Sequence, residues 1–563
     1  MKRRAKLLRP LVTMVLVSLA GCYLPGRFIR GYAEAEPEGM KLLSADRAYA
    51  NAPPSVRGQV RFLFDDFGSL NTDNLDRYGQ PWKMVGAAIV RDRHRTEGAP
   101  LTRGTLERAL KEYGFIRPTA VANWAGPQPR FERPMGMIAG MARRGFPGVE
   151  IEVSNLGCAT CHAGPLYGAD GRTTGEVWLG LPNSSIDLDA YSEDAFVALR
   201  SELEEPDSLL ATLALVFPEV SERELSNLRE HVMPAARKEL AVRLAEHGGL
   251  VPFGNGGPGL MNGIGSLSFL REGLHGDVRS DEVAWAAPPD LAATTMRRSL
   301  LVDGVYAAPG RARRGPMTHD EVDGAHLDGL AGVASFFIVT TQGVLPREAR
   351  RAIPAVREVF DFLHAVMSPP FPGQIDHALA LEGAAVYANA CAACHGEYSS
   401  GLEDVLLLAH PNRLTPQDRM LTDSIRWAAA DLDEATRHLG SMGYLKHLEI
   451  ENGGGYVAPD LGGVWATAPY LHNGSVPTLW HLLHAEHRPE RFYVGGHALD
   501  YDLMGIAGEV DADGVYRYLD GYQPWSRPAL YDTREPGRSN AGHEFRLLKE
   551  AEKAALLEYL KLL

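Results

Sequence analysis

Two five-residue segments concentrate the reactive side chains of this chain: Cys158-Ala159-Thr160-Cys161-His162 and Cys391-Ala392-Ala393-Cys394-His395. Thiols three residues apart lie about one helical turn from each other. They reach the two vinyl groups of one porphyrin, and the imidazole that follows at once is placed beneath the ring to ligate its iron. Cys-x-x-Cys-His is therefore the attachment pattern of a c-type haem. A shared four-thiolate zinc site would use the same cysteines, but it leaves both histidines unexplained and requires pairs more than 200 residues apart to meet. A thioredoxin-type redox pair calls for a βαβ setting and a preceding tryptophan, and neither segment has them. The spacing predicts two covalent haem c groups, with His162 and His395 as iron ligands.

The fifth cysteine has a separate role. Basic residues from Lys2 to Arg9 precede an apolar run, Leu11 to Ala20, too short to span a bilayer, and then Leu19-Ala20-Gly21-Cys22. Leu-Ala-Gly-Cys resembles the bacterial lipobox, which predicts a lipoprotein signal peptide over 1–21 and lipidation of Cys22; the plainer alternative is an ordinary signal peptide with an incidental cysteine. The expectation is an exported lipoprotein, anchored to the membrane through Cys22 and facing the periplasm. No cysteine remains for a structural disulfide, although that compartment would permit one. Net charge is −14, and −19 without the leader's Lys2, Arg3, Arg4, Lys6 and Arg9, so phosphate backbones are repelled and nucleic acid is not an expected partner.

The elements that must position the two clusters read as mostly helical. Residues 22–60 carry Pro25, Pro37, Pro53 and Pro54 among small and charged residues and read as a tether. Apolar spacing predicts helices over Thr105–Tyr113, Ser192–Glu204, Asp207–Val216, Ser221–His247 with a break at Pro234, Ala355–Met367, Leu379–Asn389 and Lys549–Leu562. No run of alternating strands stands out, nor any repeat of fixed period. The expected fold class is mainly α, with two cytochrome c-like haem domains, 61–370 and 371–563, long loops and connecting segments. Gly254-Asn255-Gly256-Gly257-Pro258-Gly259 fits the dinucleotide pattern GxGxxG, but no strand precedes it and Pro258 sits where a helix should begin, so it reads as a decoy.

Residues 381–395 (LEGAAVYANACAACH) and 462–483 (GGVWATAPYLHNGSVPTLWHLL) resemble the bacterial di-haem cytochrome c peroxidase superfamily. Ser539-Asn540-Ala541-Gly542-His543-Glu544, Arg488-Pro489 with Phe492, Tyr501-Asp502 and Gly180-Leu181-Pro182-Asn183-Ser184 resemble its branch containing the haem-dependent rubber oxygenases. The resemblance implies two facing haem units, the first open to peroxide or dioxygen, the second six-coordinate and relaying electrons. It implies His543 as the second iron ligand of the His395 haem, with His472, His481, His484 and His487 as rivals. It also implies a calcium ion between the haems, held at Thr467 and Pro469 with Asn183 as a further oxygen donor.

The resemblance has gaps. Where related proteins keep a tryptophan between the haems, this chain has Val302-Asp303-Gly304; Trp178, Trp285 or Tyr306 would have to substitute. No histidine follows the first cluster closely; His275, His319 and His326 read as loop residues, and Phe336-Phe337 as an apolar cap or ordinary core. The functional expectation is a di-haem oxidoreductase that activates peroxide or dioxygen at the His162 haem. The alternative is a non-enzymatic di-haem electron-transfer lipoprotein. Expected partners are a redox protein or a small oxidant, and the membrane through the lipid.

Overall fold

The computed structural model describes residues 32–33, 51–64, 80–144, 149–247, 254–263, 284–342, 346–403, 405–428 and 432–563. The leader, Cys22, His275 and most of the expected tether lie outside the described residues. The tether is shorter than expected: helix Pro54–Phe64 already packs against helix Ile353–His364. Phe62 meets Phe362 with ring centroids 5.6 Å apart, Arg61 pairs with Glu358 at 2.5 Å, and a Cβ on Gly58 would stand 1.8 Å from the Glu358 carbonyl oxygen.

The fold is not mainly α. Helix makes up 41% and strand 15%, the latter divided among seven small sheets of two to four strands within the described residues. The expected helices form: Arg103–Glu112, Leu188–Glu202, Pro206–Val216, Ile353–His364, His377–Ala390 and Glu550–Leu560. Ile353–His364 buries Val356, Val359, Phe360 and Leu363, the spacing of one apolar face. Pro234 breaks nothing: a π-turn over Leu228–Val232 leads into Met233–His247, whose first turn tolerates the proline. The hairpins were invisible to periodicity. Met137–Arg144 pairs antiparallel with Glu150–Leu156, and Ala163–Tyr167 with Thr173–Leu179, in segments where glycine and polar residues interrupt the alternation.

Three buried cores result. The first packs Trp82–Glu97 against the helices of 188–216. The second surrounds Gly324–Gln342 and takes in Leu439, Met442, Tyr444 and Leu448 from beyond residue 370. The third gathers Trp465, Phe492, Tyr531 and Leu556 with Tyr167 and Leu181 from the N-terminal half. Side chains from both halves thus share cores, and residue 370 does not divide two packing units. Among the described residues no helix is long and apolar enough to cross a membrane.

Helix His377–Ala390, which ends directly at Cys391, is fixed at its start and along its middle. Asp376 caps its start by accepting from the Ala378 and Leu379 amides. Gly383 lets it lie against Glu550–Leu560, because a Cβ there would stand 1.9 Å from the Ala555 carbonyl oxygen. Gly383→Ala is expected to lower stability by about 1–3 kcal/mol, the cost of overpacking, despite alanine's better helix propensity; urea denaturation of the full chain measures it.

Candidate haem sites

Each Cys-x-x-Cys-His segment ends in a single helical turn, Ala159–His162 and Ala392–His395, with the histidine amide donating to the first cysteine's carbonyl at 3.0 Å in both. His162 Nδ1 hydrogen-bonds the Pro289 carbonyl at 3.2 Å; His395 Nδ1 bonds the Pro459 carbonyl at 2.8 Å. With Nδ1 committed, Nε2 is the nitrogen left to ligate, and the carbonyl orients the ring and raises its basicity.

The two carbonyls belong to loops that repeat each other at an offset of 170 residues. Pro289-Asp290-Leu291 corresponds to Pro459-Asp460-Leu461. Asp290 accepts from the Ala292 amide and Asp460 from the Gly462 amide. Short 3-10 turns follow at Thr294–Met296 and Val464–Ala466. Then come Leu301 and Leu471, both left-handed at φ 65° and 67°, a conformation leucine rarely adopts, and Gly304 and Gly474 at φ 60° and 68°. Isolated bridges join Leu300 to Tyr306 and Tyr470 to Val476. The loops also dock reciprocally: the Ala287 amide donates to the His472 carbonyl, and the Val457 amide to the Val302 carbonyl, each at 2.8 Å. That exchange is the signature of a local two-fold axis between the loops.

Both clusters open onto one cavity of about 2180 Å³, more than twice the roughly 300–1,000 Å³ usual for a small-molecule site. Four histidines line it among the described residues: His162, His395, His472 and His543. Burial holds them neutral. It pulls His162 down to about 4 and His472 and His543 to about 3, and lowers His395, against the ordinary 6.5. The thiols of Cys161 and Cys391 are pushed up to about 12 by burial, unlike the acidic thiolate of a dithiol redox catalyst. Among the described residues no three Cys, His, Asp or Glu side chains converge as a metal cluster, so the two cysteine pairs do not meet in a zinc site.

His543 faces His395, with ring centroids 6.0 Å apart. Metal–imidazole bonds near 2 Å put two axial rings at about that centroid separation. His543 Nδ1 is buried and has no hydrogen-bond partner, and Phe545 packs on the ring at 4.8 Å. Its backbone is held by Arg488, whose five donors all go to carbonyl oxygens: Nε to His481, Nη1 to Asn540 and Gly542, Nη2 to Leu482 and His543. The rivals are engaged elsewhere. His481 Nδ1 bonds Thr478 Oγ1 at 2.7 Å, His484 pairs with Glu550 at 2.9 Å, and neither they nor His487 line the cavity. His472 lines it, stacked on Tyr456 at 4.4 Å.

Part of the cavity wall is apolar. Phe336 and Phe337, from helix Gly324–Gln342, line the cavity with Tyr306, which packs on both rings at 5.7 and 5.8 Å. Of the substitutes for the missing tryptophan, only Tyr306 lines the cavity; Trp178 donates to the Met367 carbonyl and Trp285 stacks under Arg538. Thr467 and Pro469 line it too. Asn183 does not: its amide nitrogen donates to the Gly114 and Thr160 carbonyls and its oxygen accepts from the Ser185 amide. His326, expected in an exposed loop, is buried and bonded to the Thr295 carbonyl, and His319 stacks on His364 at 4.3 Å. The glycine-rich decoy is closed by Asp189, whose carboxylate accepts from the amides of Asn255, Gly256 and Gly257.

Residues 455–493 match the family described as RoxA-like, cytochrome c-like. The matched segment runs from Gly455 through the second repeated loop to Tyr493 and includes the Pro459 carbonyl presented to His395. It identifies haem c as a cofactor and oxidoreduction as the class of chemistry. Two curated proteins of Sinorhizobium fredii are also similar. Uncharacterized protein y4iJ is 31% identical over 250 residues, covering 34% of this chain and 40% of that protein; uncharacterized protein y4iM is 29% identical over 225 residues, covering 34% and 47%. The chain thus spans less than half the length of these relatives.

The structure brings the four cysteines, His162, His395 and His543 to the wall of one cavity. The repeated loops, Arg488's role and Tyr456 were missed. Pro-Asp-Leu at both 289 and 459 was the one local signal for the repeat. Replacing Arg488 by Lys, a single point of charge, strands several carbonyls; a loss of at least about 2 kcal/mol is expected, read in urea. The depressed pKa values of His410, about 3, and His481 and His497, about 4, mean that the unfolded chain takes up protons first. Stability is full above pH 6.5 and falls as pH drops toward 3–4, with a shallower fall in His410→Gln, measured by denaturation midpoints at pH 4.5 and 7.5.

Proposed function

We propose that this chain is an exported di-haem c-type cytochrome that activates peroxide or dioxygen on the His162 side and exchanges electrons through the His395 side. The observation that supports it most is the loop repeat, in which each Cys-x-x-Cys-His histidine meets the equivalent proline carbonyl, Pro289 or Pro459, at one shared cavity. A haem with an open axial position supplies the oxidant chemistry, and one with two strong ligands moves electrons.

The residues divide the work accordingly. His162 and His395 would hold iron through Nε2, and Cys158, Cys161, Cys391 and Cys394 would carry the thioether links. His543, held by Arg488, would provide the second strong ligand on the His395 side. Phe336 and Phe337 present no donor nitrogen on the His162 side and exclude water from it. The reading includes a calcium ion at the Thr467 and Pro469 carbonyls, whose removal by a chelator is expected to slow inter-haem exchange without releasing haem. Lipidation of Cys22 would hold the protein at the membrane facing the periplasm, within reach of a redox partner protein. The non-enzymatic carrier draws its support from Val302, at the position where the relatives' tryptophan is expected.

Purified mature protein is expected to carry the mass of two haems and to give a c-type pyridine haemochrome of two haems per chain. Electron paramagnetic resonance of the ferric protein should show one high-spin and one low-spin signal, the low-spin signal disappearing in His543→Ala. Two low-spin haems and no reaction with peroxide would leave the carrier as the better description.

A further inference from the structure

A cluster of arginines, Arg426 buried and Arg297 and Arg314 half-buried, lies at the junction of the two repeated loops, in a chain whose net charge is −14. Arg297 and Arg426 line the shared cavity. Arg297 donates through Nη2 to the Leu301 carbonyl at 3.2 Å, and its Nε is buried without a hydrogen-bond partner. Arg426 stands 3.2 Å from Asp303, both almost wholly buried, and its Nε is likewise unpartnered. Behind them Arg314 donates through Nη1 to Ser299 Oγ while its Nη2 has no partner. The three guanidinium groups keep three buried donor nitrogens unspent, although Asp303, Asp460 and Glu451 lie within Coulomb reach of them. Buried donors left without a partner are costly unless an acceptor meets them, and a guanidinium is shaped to take a carboxylate.

Arg297 also breaks the repeat. At the offset of 170 its counterpart is the neutral Thr467. Although it belongs to the first loop, it lies within Coulomb reach of Asp460 in the second and of His410, whose Nε2 bonds the Ala458 carbonyl beside the Pro459 carbonyl that holds His395.

We propose that Arg297 and Arg426 bind the propionate carboxylates of haem at this junction, and that Arg297 makes the two haem positions electrostatically unequal by placing an extra cation beside the His395 side. The inference rests on the two-haem reading. A cation beside a haem favours its reduced form, so the His395 haem holds the electron more strongly than it would beside a neutral residue. These arginines act as positioning and tuning residues, since they reach the iron only through its substituents.

Haem content and intact mass of the full-length holoprotein come first, because fewer than two haems on the wild type removes the two-haem reading itself. With two haems present, potentiometric titration followed in the visible and by paramagnetic resonance gives the distribution of one electron between them. Arg297→Thr, which copies the other repeat, is expected to move that distribution at least tenfold toward the His162 haem, equivalent to ~59 mV for a one-electron couple. Arg297→Lys, which keeps the charge, should stay within twofold of wild type, and Arg426→Gln should shift in the same direction as Arg297→Thr. A protein with both haems attached whose distribution is unmoved by Arg297→Thr, or moved tenfold by Arg297→Lys, overturns the proposal. So does a wild-type distribution that changes with added inorganic phosphate in an Arg297-dependent way, since the cluster would then hold a free anion instead of propionate. Should Arg297→Thr not fold, Arg426→Gln decides by the same measurement.

Discussion

An imidazole Nδ1 bonded to a proline carbonyl, made once at His162 and once at His395, is the interaction on which the rest of the arrangement turns. It fixes the rotation of each ring and leaves one nitrogen available. It is only as rigid as the loop that offers the carbonyl, and proline at 289 and 459 already restricts that backbone. The following aspartate ties the turn to itself, a 3-10 turn and a left-handed leucine complete it, and the Ala287–His472 and Val457–Val302 hydrogen bonds lock each loop onto the other. The positions of the two histidines are thereby defined relative to each other, even though 233 residues separate them in the chain.

What could be read from the residues beforehand follows from how local each signal is. Cys-x-x-Cys-His encodes its chemistry within five residues, and the apolar stripes of helices such as Ile353–His364 need only three turns. The repeat is different. His162 meets its carbonyl 127 residues onward and His395 meets its own after 64. The difference is taken up largely by the helices between Leu188 and His247, so no fixed period survives. What the loops share is mostly backbone geometry, with Pro-Asp-Leu, one further leucine and one glycine as its trace. The mainly α expectation failed for a related reason: short strands such as Ala163–Tyr167 gain their stability from a partner rather than from alternation. Arg488 could not be assigned from sequence at all, because every acceptor it uses is a main-chain carbonyl.

The two loops share a backbone and differ in the side chains they carry. Val302 stands where the other has His472, Thr295 where it has Trp465, Asp303 where it has Asn473, and Arg297 where it has Thr467. The main-chain hydrogen bonds that build each turn do not depend on these side chains, so the scaffold tolerates the exchange. Val302, Asp303, Arg297, His472 and Thr467 all line the cavity. A symmetric frame with unequal linings is what two haem positions of different character would require.

Burial of the histidines completes that logic. A ligating imidazole must be neutral, and a proton competes with the metal for its nitrogen. At the ordinary value of 6.5 that competition would be felt near neutral pH. Desolvation draws His162 down to about 4 and His543 to about 3, which removes the proton as a rival across the physiological range. The same desolvation leaves His543 Nδ1 without a partner inside the protein, a cost of about 1–3 kcal/mol for an unsatisfied buried polar atom. The five carbonyls gathered by Arg488 help to hold the ring there against that cost. The segment carrying His543 is therefore stabilised through its main chain, while its side chain is left free to serve as a ligand.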